Sequence, residues 1–180
     1  MIKMPPSSLS KRENGKQEIL INSSQGRYMT ENGLARIRKF NLEDIGPVLE
    51  IETQAFPKTA YSRELLLSYA ERLPDTFVVI EIDKDIVGYI IFDSSGHIHS
   101  TAVKAVHRRK GLGRRLFMHA LQCVNKKIWL EVRSKNIGAI EFYKALDMKI
   151  MRRVPNYYGS DDALIMVLNQ RGCGRISIID

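Results

Sequence analysis

The chain has 180 residues, of which 44% are hydrophobic and 27% charged, with a formal net charge of +8 at pH 7. That length suits one domain with a full hydrophobic core, and no apolar run nears the roughly 20 residues of a membrane helix, which excludes a spanning protein. The positive charge favours an anionic partner but leaves nucleic acid, an acidic surface and a phosphorylated small molecule all open.

Residues 1–32 are polar and turn-rich, with Ile19-Leu20-Ile21 their main apolar run, and are expected to form a flexible extension. They carry no export-signal pattern, so a cytoplasmic protein is expected, and Met29 is an alternative start. Cys123 and Cys173 stand in unlike settings without metal-ligand spacing, so neither a disulfide framework nor a zinc site is expected.

After Gly33, LARIRKF alternates as a strand does, and Asn41-Leu-Glu-Asp44 supplies a cap with early acids for a helix that Pro57 stops. Ser62 caps a second helix, SRELLLSYAERL, across a loop holding Lys58, Thr59 and Tyr61. TFVVIEI and IVGYIIF read as strands around an Asp83-Lys-Asp85 hairpin turn, and Ser94-Ser-Gly96 leads into a third, HIHSTAV.

From Gly111 to Lys126, Leu112, Leu116, Phe117, Ala120, Leu121 and Val124 fall at helical spacing. The strand KIWLEVRSK, a helix over about 136–147, and the strands KIMRRV and ALIMVL follow, with PNYYGSDD joining the last two. The order β-α-α-β-β-β-α-β-α-β-β predicts an α/β or α+β domain over 33–169, with a tail at 170–180.

HRRKGLGRR, residues 107–115, sets five cations and two glycines before a helix. Unpaired N–H groups at a helix N-terminus and a glycine loop free of side chains suit a phosphate or pyrophosphate. A plain turn with a solvated cationic face is the competing reading. The stretch matches neither the Walker loop nor the three-glycine dinucleotide fingerprint.

In the strand 127–133, two-residue alternation puts Trp129, Glu131 and Arg133 on one face. A carboxylate in an apolar strand is either lifted from about 4.3 towards neutrality, as a general base requires, or paired with a neighbouring arginine. Tyr143 shares an apolar helix side with Ala139, Phe142 and Leu146, and spacing alone makes it a core residue. His97, His99, His107 and His119 lack metal spacing and are expected at the surface.

Arg108-Arg-Lys-Gly111-Leu-Gly113 resembles the [QR]-x-x-G-x-[GA] loop of the GNAT superfamily of N-acetyltransferases. GHIHSTAVKAVHRRKGLG, LEVRSKNIGAIEFYKALDM and NYYGSDDALIM look like its protein N-terminal branch, near the ribosomal-protein alanine acetyltransferases and their archaeal relatives. The likeness spans roughly residues 34–168. It implies a mixed, mostly antiparallel sheet of about seven strands flanked by four helices.

It also implies acetyl-CoA as co-substrate without a metal. The backbone at Thr101, Ala102 and Val103 would hold the acetyl and pantetheine part, Arg108, Arg109, Lys110, Gly111, Leu112, Gly113 and Arg114 the pyrophosphate, and Asn136 a further contact. Glu131 would be the general base and Tyr143 the acid that protonates the departing thiolate. A peptide N-terminus, possible on a ribosomal protein, would lie between Phe56, Pro57 and Tyr61 on one side and Tyr157 and Tyr158 on the other.

The loop departs from close relatives. Lys58 stands where some carry an acid, and the tryptophan of the ribosomal subgroup is missing. A lysine or small-amine acetyltransferase is therefore the nearer alternative, and a basic nucleic-acid-binding module the more distant one.

Overall fold

A computed structural model describes residues 27–30, 33–124 and 127–169. Most of the expected N-terminal extension, and the expected tail 170–180, lie outside the described residues. The elements are β1 (Arg27–Thr30), β2 (Gly33–Lys39), α1 (Ile45–Ala55), α2 (Arg63–Arg72), β3 (Phe77–Ile82), β4 (Asp85–Phe92), β5 (Ile98–Val103), α3 (Leu112–Cys123), β6 (Lys127–Arg133), α4 (Ile137–Lys144), β7 (Lys149–Val154) and β8 (Ala163–Asn169). The expected order holds, with one strand more than the seven foreseen.

The addition is β1, which falls inside the stretch expected to be flexible. It pairs antiparallel with β2, from Arg27 opposite Arg36 to Thr30 opposite Gly33. A four-residue run has no periodicity to read, and its ladder partner makes it a strand.

The strands form two antiparallel sheets, one in the order β1-β2-β3-β4-β5 and one in the order β6-β8-β7. A single parallel bridge joins them: His97 lies opposite Trp129, whose N–H donates to the Gly96 carbonyl at 2.9 Å. Parallel neighbours need a crossover, and α3 supplies it.

Strand alternation sends Val78, Ile80, Ile90 and Phe92 to one face, against Leu116 and Phe117 of α3 and Ile140 and Tyr143 of α4. Phe77, Val79, Tyr89 and Ile91 go to the other face, against Val48 and Ile51 of α1 and Leu66 of α2. Helices thus cover both faces.

The start of α1 is fixed by charge and capping together. The Asn41 side chain accepts from Glu43 N–H at 3.1 Å, and Asn41 N–H donates to Asp44 at 2.9 Å, closing a capping box in a short 3₁₀ turn. The Arg38 guanidinium grips Asp44 at 2.6 and 2.8 Å and Glu81 at 2.8 Å. Burial opposes the Asp44 charge, but Arg38 and the Asn41 N–H prevail and hold its carboxyl below the ordinary value. No helix among the described residues is long and apolar enough to cross a membrane.

Candidate active site

The two sheets part company just beyond their single bridge, and of the expected site residues Thr101, Ala102 and Val103 lie on the β5 side of that seam and Glu131 on the β6 side. Lys104 N–H donates to the Val87 carbonyl of β4 at 2.8 Å. Alternation along β5 then turns the N–H groups of Val103 and Thr101 away from β4, towards β6, with which they share no ladder. The Thr101 hydroxyl donates to the Tyr89 carbonyl at 2.9 Å, and Ala102 is buried.

Beyond β5 the chain turns into α3 through residues 104–111. Arg109 has φ 62° and Gly111 φ 78°, conformations that favour glycine and bend the backbone into the helix. The first intrahelical bond runs from Arg115 N–H to the Gly111 carbonyl at 3.0 Å, so the N–H groups of Leu112, Gly113 and Arg114 precede it. A Cβ on Gly111 would meet nothing within 4 Å, while one on Gly113 would lie 3.3 Å from the Phe142 ring. One glycine is needed for its dihedral, the other for helix contact.

Arg108, Arg109, Lys110 and Arg114 are exposed, and Leu112 is buried in the core. Arg108 Nε donates to the Val103 carbonyl at 3.0 Å, tying the loop back to β5. Asn136 is the N-cap of α4, its side chain accepting from Ala139 N–H at 3.1 Å. N–H groups at a helix start, flanking cations and a glycine without a side chain suit a phosphate group.

Along β6, Ile128, Leu130 and Val132 are buried, while Trp129, Glu131 and Arg133 share the half-buried face, as alternation predicts. Glu131 pairs with His97 at 2.7 Å, and the His97 ring lies flat on Trp129, centroids 3.9 Å apart and planes at 8°. The His99 ring follows at 4.4 Å from His97, and its Nε2 meets Asp93 at 3.1 Å.

Two expectations are corrected here. The Glu131 carboxyl is not lifted: the His97 hydrogen bond, outweighing burial, holds it below the ordinary value, and its partner is a histidine rather than an arginine. Nor are His97 and His99 surface residues, since both are half-buried at the seam. Burial first, and then the neighbouring His97, lowers His99.

The loop between α1 and α2 approaches β5 through Tyr61. Its hydroxyl donates to the His99 carbonyl at 3.0 Å, its N–H donates to Glu52 at 2.9 Å, and its ring stacks on Tyr69 at 5.6 Å. Phe56 packs half-buried against the α1–α2 core, whereas Pro57 is exposed.

From the β7–β8 hairpin, Tyr158 lies under the Arg133 guanidinium at 4.1 Å, and Tyr157, 53% exposed, meets it edge-on at 4.9 Å. Burial pushes the hydroxyls of Tyr61, Tyr143 and Tyr158 upward; Tyr158 adds to the rise at the other two, and Glu131 adds to it at Tyr158. Tyr143 itself is 8% exposed and packs against Phe142 and Phe117, the core position its spacing indicates.

Sequence reasoning missed Glu52, which is 1% exposed on α1. It also accepts from the Tyr89 hydroxyl and, at 3.4 Å, from Ser100. The signal was available: Val48, Glu52 and Ala55 repeat at helical spacing on the core-facing side.

The sequence profile of the acetyltransferase (GNAT) family matches residues 45–148. An uncharacterized N-acetyltransferase of Methanocaldococcus jannaschii is 37% identical over 142 residues, covering 73% of this chain and 89% of that protein. An N-alpha-acetyltransferase of Sulfurisphaera tokodaii is 28% identical over 152 residues, covering 73% and 90%. Among solved structures, Ard1 from Thermoplasma volcanium superposes with a TM-score of 0.68 at 30% identity, covering 75% of this chain and 97% of that one. The chain belongs to the acetyltransferase (GNAT) family and is an N-acetyltransferase that uses acetyl-CoA.

Proposed function

We propose that this enzyme acetylates the N-terminal α-amine of a protein by direct transfer, with Glu131 as the base. The observation that carries this reading is the placement of the Glu131–His97 pair at the unladdered seam of β5 and β6. The N-alpha-acetyltransferase of Sulfurisphaera tokodaii supports the choice of acceptor.

Acetyl-CoA supplies the acetyl group as a thioester. The N–H groups of Leu112, Gly113 and Arg114 would hold its pyrophosphate, with Arg108, Arg109 and Lys110 around them and Asn136 as a further contact. The backbone from Thr101 to Val103 would align the acyl arm, and the Val103 N–H would stabilise negative charge on an oxygen placed at the seam.

Glu131, kept ionised by His97, takes the proton from the acceptor ammonium, directly or through a water. Tyr143, kept protonated by burial, is the group that returns a proton to sulfur. Tyr61 and Tyr158 flank the same opening and, with Phe56, Pro57 and Tyr157, would grip the first residues of a peptide.

Peptides differing in their first two residues, including an alanine-first ribosomal N-terminus, assayed beside internal-lysine peptides and polyamines, test this reading. Acetylation at the α-amine is expected. Turnover of lysines or polyamines without any peptide N-terminus would replace it with the small-amine or lysine reading.

A further inference from the structure

The seam contains donors beyond the proposed base Glu131, and two of them, Asp93 and His99, have no part in the acetyl transfer. One ligand atom from each of Asp93, His97 and His99 lies within 4.8 Å of the other two. All three residues are half-buried, and they combine two imidazoles with a carboxylate. Asp93 Oδ2 and His99 Nε2 stand 3.1 Å apart. A tetrahedral zinc with bonds of about 2.0 Å has donor–donor edges of about 3.3 Å, so one edge is already in place and the third donor has to close by no more than about 1.5 Å.

The surroundings fix this arrangement. Asp93 Oδ1 accepts from Ser95 N–H at 2.8 Å and His97 N–H at 3.2 Å, which leaves Oδ2 turned to His99. The His97 ring is held flat on Trp129. With Glu131 against His97, two imidazoles lie between two carboxylates, a donor set of nitrogen and oxygen that suits zinc-class ions rather than magnesium or calcium.

We propose that Asp93, His97 and His99 bind a divalent transition-metal ion of the zinc class, and that its occupation inhibits acetyl transfer. If His97 ligates through Nδ1, Glu131 becomes the outer carboxylate behind a metal-bound imidazole. If it ligates through Nε2, Glu131 becomes a neighbouring fourth donor. Either way the carboxylate that would receive the acceptor's proton is engaged by the metal site. The inhibitory half rests on the reading of Glu131 as base; the binding half does not.

Zn²⁺ titration by calorimetry, and Co²⁺ titration by visible absorption, test binding on the full chain without any turnover. One equivalent is expected, with a tetrahedral Co²⁺ spectrum. Affinity should fall at least about tenfold in Asp93→Asn, which keeps the Oδ1 acceptor of the turn, and in His99→Gln. It should be unchanged when Cys123 and Cys173 are both replaced by Ser, which controls for the Cys123–His119 pair at 3.8 Å.

No binding, or binding that survives both Asp93→Asn and His99→Gln, overturns the site. Zn²⁺ should also inhibit peptide acetylation, reversibly by a chelator and at least about tenfold more weakly in His99→Gln. Undiminished acetylation with the site filled overturns the inhibition. Metal binding at these residues, with Glu131→Gln acetylating at the parent rate, would leave the site standing and sink the reading of Glu131 as base.

Discussion

Two carboxylates, Glu52 and Glu131, both interrupt apolar elements, yet their surroundings differ. Glu52 is 1% exposed and accepts from Tyr61 N–H, the Tyr89 hydroxyl and the Ser100 hydroxyl, so its oxygens are bound into α1, the α1–α2 loop, β4 and β5. Glu131 has a side chain 17% exposed and His97 as its strong partner, on a strand edge that meets β5 through one bridge. A carboxylate enclosed by donors organises its neighbours, whereas one held mainly by one imidazole on an unladdered strand edge is available for chemistry.

The sharpest way to break this contrast is to remove both charges in turn. Glu131→Gln should lower kcat about 100-fold or more with little change in the KM for acetyl-CoA or in Tm, read by steady-state kinetics and thermal unfolding. Turnover within a few-fold of the parent would exclude Glu131 as the base.

Glu52→Gln should act in the opposite sense. Its amide presents donors to a site lined by donors, at about 1–3 kcal/mol, so Tm falls by several degrees and the peptide KM rises more than kcat falls. A loss of kcat as deep as that of Glu131→Gln, at unchanged Tm, would erase the distinction between the two residues.

Gly111→Ala imposes a side chain on φ 78° and should cost about 1 kcal/mol. Space there is open, so the fold survives, and the loss should appear as a smaller rise in Tm on adding acetyl-CoA.

The smallest expected effect lies far from the seam. The Asp44 carboxyl is held below its unfolded value, so its contribution is present above about pH 4 and fades as pH falls through the folded value. Asp44→Asn should therefore lower stability by about 1 kcal/mol at pH 7, and the gap to the parent should close below about pH 4.

Much of the frame was legible because it rests on local rules. Asn41 and Ser62 read as caps and are caps, Asp83-Lys84 reads as a hairpin turn and has positive φ at both residues, and β6 alternates as its spelling says. The Gly111-Leu-Gly113 loop was readable for the same reason.

The misses share one physical origin, which is dependence on a distant partner. β1 is a strand because β2 offers an edge. The Glu131 carboxyl moves down because His97, 34 positions away, reaches it. His97 and His99 share a strand face by two-residue alternation, a signal in the sequence, but only the meeting of β5 with β6 and of Asp93 with His99 gives that face a content.

The lone bridge between residues 97 and 129 has a consequence for connectivity. Its two halves are connected through α3, so residues 97 and 129 are neighbours across the whole length of that crossover. The seam that carries Glu131 belongs to no single strand or loop; it is where, among the described residues, two separately laddered sheets are sewn together by one stitch.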